Sequence, residues 1–349
     1  MVILQQLLII LLLASSSFAQ GTVQLDSLDV DPSRFNQLFS QLKSGNHKMH
    51  SLIVAKDGRL VIEEYFGDQD ADTPHDLRSV TKSITSILMG IAIDQGFVKS
   101  LDDPFQSYIP QLVPRKNRDS RKAQITIRHL ITMTSGLDCN DWDSRSEGQE
   151  DRVYRQRDWL QTFVDLPMRH EPGTEAAYCT MGQVLATEII SLTSGMPIDE
   201  FANRNLFGPL GITNVYWDHP SSIATLQSGN RLNMTPRDMA KIGQLMLDGG
   251  VWNGERIVSE EWVHESTSVK TSITGMDYGL LWWRIPIQVG DDVVVMTAAT
   301  GNGGQYIFIV PEMDLVAVFT GGAYNSEEDK LPFAVMRDVV LWTFRGQRE

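Results

Sequence analysis

The chain has 349 residues and a formal net charge of −14. That acidic balance argues against nucleic acid or an anionic membrane as the main partner, and solubility is its simplest reading. The length can bury a large core, in one big domain or two interleaved ones.

Residues 1–19 carry no charged side chain and hold an apolar run from Leu7 to Ala14. They end in Ser17-Phe18-Ala19 before Gln20, the small-x-small pattern of a signal-peptidase site. No lysine or arginine marks the start, yet the stretch reads as a signal peptide, with residues 20–349 as the domain that remains. The run is too short to span a bilayer comfortably, and no later segment reaches transmembrane length. The expectation is an exported protein, periplasmic or secreted, with no stable membrane insertion once the signal is removed.

Phe35, Leu38, Phe39 and Leu42 give an amphipathic helix that carries Ser40 and Lys43 on its polar side. Ser51–Ala55 and Leu60–Phe66 are strand-like and flank Asp57-Gly58, a strong hairpin signal. Next comes Leu77-Arg78-Ser79-Val80-Thr81-Lys82-Ser83-Ile84, opening a run that is apolar around most of a helix and ends near Gly96. Positions three apart share a helix face, so Lys82 would lie beside the Ser79 hydroxyl at a helix N-terminus, where the dipole favours negative charge. That is a nucleophile with its own base. Ser79 alone would read equally well as the cap of a buried helix.

Thr126 can cap a short helix through Met133 that stops at Gly136, with His129 a structural residue inside it. Residues 138–157 are acidic, polar and aromatic-poor, and read either as a surface loop near an active-site rim or as a flexible excursion. Helices are predicted at Trp159–Leu166, Met181–Thr193, Ile198–Leu206 and Arg237–Leu247, the last capped by Thr235-Pro236. Strands return at Gly279–Ile285, Val293–Met296, Gln305–Val310 and Leu315–Thr320, followed by a helix from Leu331 to Phe344. The pattern is an α/β (α+β) chain: one sheet drawn from 20–78 and 230–349, and an inserted helical region at about 79–229. The two cysteines, Cys139 and Cys179, permit one disulfide in an exported chain. Two thiols with no clustered histidines argue against a metal site, and no cofactor is expected.

A Ser-Lys couple needs a group to pass the proton to the leaving group. Tyr178 in Tyr178-Cys179-Thr180 is presented by a loop just before a helix, while Tyr108, Tyr154, Tyr216, Tyr278, Tyr306 and Tyr324 compete for the role. Ala299-Thr300-Gly301-Asn302-Gly303-Gly304-Gln305 places small residues at a strand edge, where substrate can approach main-chain amides. Taken in order on helix, loop and strand, these three elements resemble the active-site motifs of the serine β-lactamase and penicillin-binding-protein superfamily, nearest to its class C β-lactamase-related group. The resemblance covers roughly Ser51 to Thr343.

It implies a β-lactamase/transpeptidase-like fold, an antiparallel sheet flanked by helices with an all-helical subdomain. It also implies Ser79 as the acylated nucleophile, Lys82 as its base and Tyr178 as proton carrier. The amides of Ser79 and Asn302 would form the oxyanion hole, with Thr180, Ala299, Thr300 and Gly301 against substrate. Two positions depart from the family pattern. Thr180 stands where asparagine is usual, and Ala299 where lysine or histidine is usual. Lys270-Thr271-Ser272 resembles the missing motif but lacks the following turn and strand pair, and we read it as a decoy. The expected activity is hydrolysis of a small-molecule ester or amide, with weak or no action on β-lactams. The alternatives are a cell-wall D,D-peptidase or D-amino-peptidase acting on a D-amino-acid peptide, and a non-catalytic homologue that binds peptidoglycan or a protein.

Overall fold

The computed structural model describes residue 28 and residues 30–218, 220–222 and 230–345. The signal-peptide reading lies outside the described residues, as does the boundary at residue 20. Among the described residues no helix is long and apolar enough to cross a membrane.

Helix α1 (Ser33–Ser44) buries Phe35, Leu38 and Leu42 and leaves Ser40 and Lys43 exposed, so this second Ser-x-x-Lys tetrad faces solvent. Strands β1 (Met49–Lys56) and β2 (Arg59–Tyr65) form the expected hairpin. Its turn residues Asp57 and Gly58 sit at φ 50° and 69°, the left-handed pair that a two-residue hairpin favours. A small sheet joins β3 (His75–Asp76), β4 (Val215–Asp218) and β5 (Arg231–Met234) in the order β3-β5-β4. β4 falls inside the stretch read as helical. It is four residues long with alternating burial, too short to register as a period in the sequence. A two-residue pair, β6 (Val251–Trp252) and β7 (Glu255–Arg256), follows.

The large sheet adds β8 (Thr271–Ile273), β9 (Met276–Tyr278), β10 (Trp283–Val289), β11 (Asp292–Gly301), β12 (Gln305–Val310) and β13 (Leu315–Gly321). Its order is β2-β1-β13-β12-β11-β10-β9-β8, and every neighbouring pair is antiparallel. Ser51 stands opposite Thr320, so the first strand of the sheet is zipped to its last. Successive residues of β12 point to opposite faces. Tyr306 and Phe308 meet Phe333 of α10 (Leu331–Val335), while Ile307 packs against Gly243 of α8 (Pro236–Leu247). Both faces are therefore covered by helices, which is why β12 and β13 are apolar without alternation. The predicted final helix is interrupted by a π-helical turn at Met336–Val340.

Behind this sheet lies α2 (Val80–Asp94), every residue of which is buried from Val80 to Ala92. Its neighbours include α6 (Thr180–Ser194), ended by left-handed Gly195, and α9 (Glu260–Thr267). Gly90 admits the close approach to α9, because a Cβ there would lie 2.3 Å from the Trp262 ring. Helix α3 (Ile127–Ile131) is capped by Thr126, as expected, and His129 returns a ring nitrogen to the Thr126 amide. His129 is thus a capping residue, and the helix stops well before Gly136.

Candidate active site

The chain reaches Ser79 through a held kink. Leu77 N donates to Leu232 O at 2.9 Å, tying the end of β3 to β5. Arg78 then takes φ 50°, sparsely populated for a residue with a side chain. Its amide donates to Asp76 Oδ1 at 3.0 Å, its guanidinium pairs with Asp76, and it lies over the Tyr324 ring at 4.7 Å. Ser79 therefore stands just ahead of α2, and its side chain caps nothing. Instead Ser79 Oγ accepts a hydrogen bond from Lys82 Nζ at 3.1 Å.

Lys82 is only 4% exposed. Burial pulls its pKa down, but Tyr178, Glu150 and Asp141 outweigh that, and the net direction is upward. The ammonium lies 4.9 Å from the centroid of the Tyr178 ring. For Tyr178, burial is the largest influence and raises its pKa; Lys82 and the Ser79 hydroxyl lower it, and Asp141 and Glu150 raise it again. The balance is upward, so the phenol is neutral at neutral pH. Cationic neighbours alone do not depress it.

The loop read as a polar rim supplies the counter-charge. Cys139 and Cys179 form a disulfide, which brings the loop against the Tyr178 segment. Asp141 N donates to Tyr178 O at 2.8 Å. Asp141 Oδ2 accepts from the Thr180 amide and faces its hydroxyl, both at 2.7 Å, while Oδ1 accepts from Glu150 N at 3.1 Å. Glu150 opens the short helix α4 (Glu150–Tyr154), and its Oε2 lies 3.0 Å from Thr180 Oγ1 and 3.0 Å from the Tyr154 hydroxyl. Burial first, and then the Glu150 charge, pushes Asp141 up to about 7. Trp142, 53% exposed, stacks on Tyr178 at 4.8 Å and on Trp283 at 6.2 Å. Asp141, Trp142, Glu150 and Tyr154 were not among the predicted site residues. The available signal was Asp141's place two residues after Cys139, since a bridge to Cys179 must set it beside Thr180.

The third segment arrives from the sheet. β11 ends at Gly301, where a Cβ would lie 2.4 Å from Leu77 O, so only glycine lets this strand press against the kink before Ser79. Asn302 follows, with its side chain paired to Asn325 at 2.8 and 2.9 Å. Thr300 is half-buried, and Ala299 is fully buried opposite Ile307. Lys270 is ion-paired with Glu265 at 2.7 Å.

Ser79, Lys82, Thr180 and Asn302 share a cavity of about 50 Å³ with Arg78, Glu150, Tyr154, Asn230 and Arg231. Larger surface grooves, of about 510, 520 and 360 Å³, are lined by none of the predicted site residues.

This fold, with a Ser-Lys couple at the head of its buried helix, is that of the β-lactamase family of serine hydrolases. The family's profile, described as Beta-lactamase, matches residues 35–340, and the chain belongs to that family. Among its relatives is the 6-aminohexanoate-dimer hydrolase of Paenarthrobacter ureafaciens, 26% identical over 295 residues, 77% of this chain and 71% of that protein. A Bacillus anthracis structure, named as a candidate 6-aminohexanoate-dimer hydrolase, superposes with a TM-score of 0.70 at 19% identity, covering 91% of this chain and 86% of that one. The octameric penicillin-binding protein homologue of Pyrococcus abyssi superposes at 0.61 with 18% identity, covering 82% and 73%.

Proposed function

We propose that the protein is an exported esterase or small-amide hydrolase that works through an acyl-enzyme on Ser79, with weak or no β-lactamase activity. The observation that carries this reading is the buried Lys82 ammonium 3.1 Å from a Ser79 hydroxyl that caps nothing. In the reaction Lys82 accepts the serine proton, Tyr178 returns a proton to the leaving group, and the amides of Ser79 and Asn302 hold the oxyanion. Water then resolves the ester. Because Lys82 holds its proton tightly, activity rises with pH through the neutral range. A relative named as a 6-aminohexanoate-dimer hydrolase supports a small amide as the substrate class. A disulfide supports an oxidising compartment and so export.

Ala299 cannot supply the charge that would hold a β-lactam carboxylate. Losing a charged contact costs about 1.5 to 3 kcal/mol, or roughly tenfold to a hundredfold in rate if it is expressed in the transition state. The test labels the protein with a fluorophosphonate and compares kcat/KM for p-nitrophenyl acetate, p-nitrophenyl butyrate, the linear 6-aminohexanoate dimer and nitrocefin. The expected result is label on Ser79, none in Ser79→Ala, and esters or amide far ahead of nitrocefin. Label on Ser40, or nitrocefin turned over as fast as the esters, overturns the reading.

A further inference from the structure

The Thr180 hydroxyl owns one proton, yet its oxygen lies 2.7 Å from Asp141 Oδ2 and 3.0 Å from Glu150 Oε2. Two ionised carboxylates are both acceptors, so one hydroxyl proton can satisfy only one of them. Both contacts become hydrogen bonds if one carboxyl is protonated: it donates to Thr180 Oγ1, and Thr180 donates to the other. Lys82 is buried and shares the cavity wall with Glu150 and Thr180. Two ionised carboxylates held this close, one of them away from the cavity, are costly to bury. We infer that Asp141 and Glu150 share a single proton across the Thr180 hydroxyl and form the positioning pair that keeps Lys82 beside Ser79.

The inference rests on the reading of Ser79 and Lys82 as the reacting couple. It also gives a physical role to threonine in the second motif, since a hydroxyl can give one proton and take another along the same line. The charged and titratable groups around the pair are Lys82 of α2, Tyr178 of the preceding segment, Tyr154 of α4, and Arg78 and Arg231 on the cavity wall. Arg78 is engaged by Asp76. As pH rises past neutrality the shared proton leaves, the pair becomes a dianion, and Lys82 is held more firmly in its charged form. Asp141→Asn or Glu150→Gln cannot form that dianion. In either variant Lys82 gives up its proton at lower pH.

Two readouts test this. In infrared titration of the purified, oxidised protein, the carbonyl stretch of a protonated carboxylic acid is expected near neutral pH. That band is absent from Asp141→Asn and from Glu150→Gln, and it is kept by Thr180→Ser, which preserves the hydroxyl. No such band in the wild type, or a band that survives both carboxyl substitutions, overturns the shared proton whether or not the protein turns over any ester. The second readout is the pH profile of kcat/KM for p-nitrophenyl acetate. Its rising limb moves down by about one pH unit in Asp141→Asn or Glu150→Gln and stays in place in Thr180→Ser. A loss of amplitude with the limb unmoved is what a merely structural role gives, and it overturns the positioning role. Absence of turnover and of serine label in the wild type sinks the hydrolase reading and leaves the infrared result to decide the pair.

Discussion

A buried ammonium persists only where its neighbours favour the charge, and for Lys82 those are Tyr178 first, then Glu150 and Asp141. The consequence for stability falls on Asp141, raised from the ordinary aspartate value of 3.8 to about 7. Between those values the folded chain binds more protons than the unfolded one, so the free energy of unfolding drops as pH rises from about 4 to about 7 and then levels. Acting alone, the shift amounts to about 4 kcal/mol at most. Asp119, lowered to about 2 by Arg121, acts in the opposite sense at lower pH. The difference between wild type and Asp141→Asn isolates the term. Urea unfolding at about pH 5 and about pH 8 is expected to show the variant gaining on the wild type at the higher pH. A difference that does not change with pH refutes it.

Among the elements, the loop after Cys139 decides how the site is closed. The disulfide spans a sequence separation of 40, worth about 4 kcal/mol in the chain-entropy picture. Replacing both cysteines by serine is expected to lower the melting temperature. It should also slow fluorophosphonate labelling well below that temperature, because Asp141, Trp142 and Glu150 are released with the loop. Labelling at the wild-type rate in the folded double variant would separate the bridge from the site. The pairing of Cys139 with Cys179 was legible from an even count in a chain expected to be exported. The loop's contribution was not, because Asp141 and Glu150 look like any solvated carboxylates until the bridge fixes their distance from Thr180. Trp142 was overlooked for the same reason, in a stretch judged by its polarity, and Tyr154 was weighed only as a rival to Tyr178.

Across the whole molecule, the site is a seam between a kink after β3, the start of α6 and the end of β11. Gly301 is where the sheet meets that kink, and Gly301→Ala puts a methyl 2.4 Å from Leu77 O. The expected cost is about 1 to 3 kcal/mol of stability, with labelling of Ser79 reduced beyond what that alone explains, since Leu77 and Arg78 must shift. Full labelling in a stable variant would mean that the seam is looser than this geometry. Most of the large sheet was readable because its longer strands are apolar and punctuated by turns. By contrast β8 and β9, three residues each, were not predicted, and β10 runs Trp283–Val289 instead of Gly279–Ile285. The small sheet was not readable, since β3 and β4 are too short to carry a period, and β3 gains its meaning only from β5, far along the chain.

The zipping of β1 to β13 also sets a schedule. Ser51 leaves the ribosome 269 residues before Thr320, the partner that completes its pairing. At ordinary rates of synthesis, that is a wait on the order of 15 to 50 s. Through all of it the first hairpin keeps an open apolar edge, and the nucleophile's helix has no sheet to lean on. The large sheet therefore cannot close before β13 is made, and the serine stays idle until then.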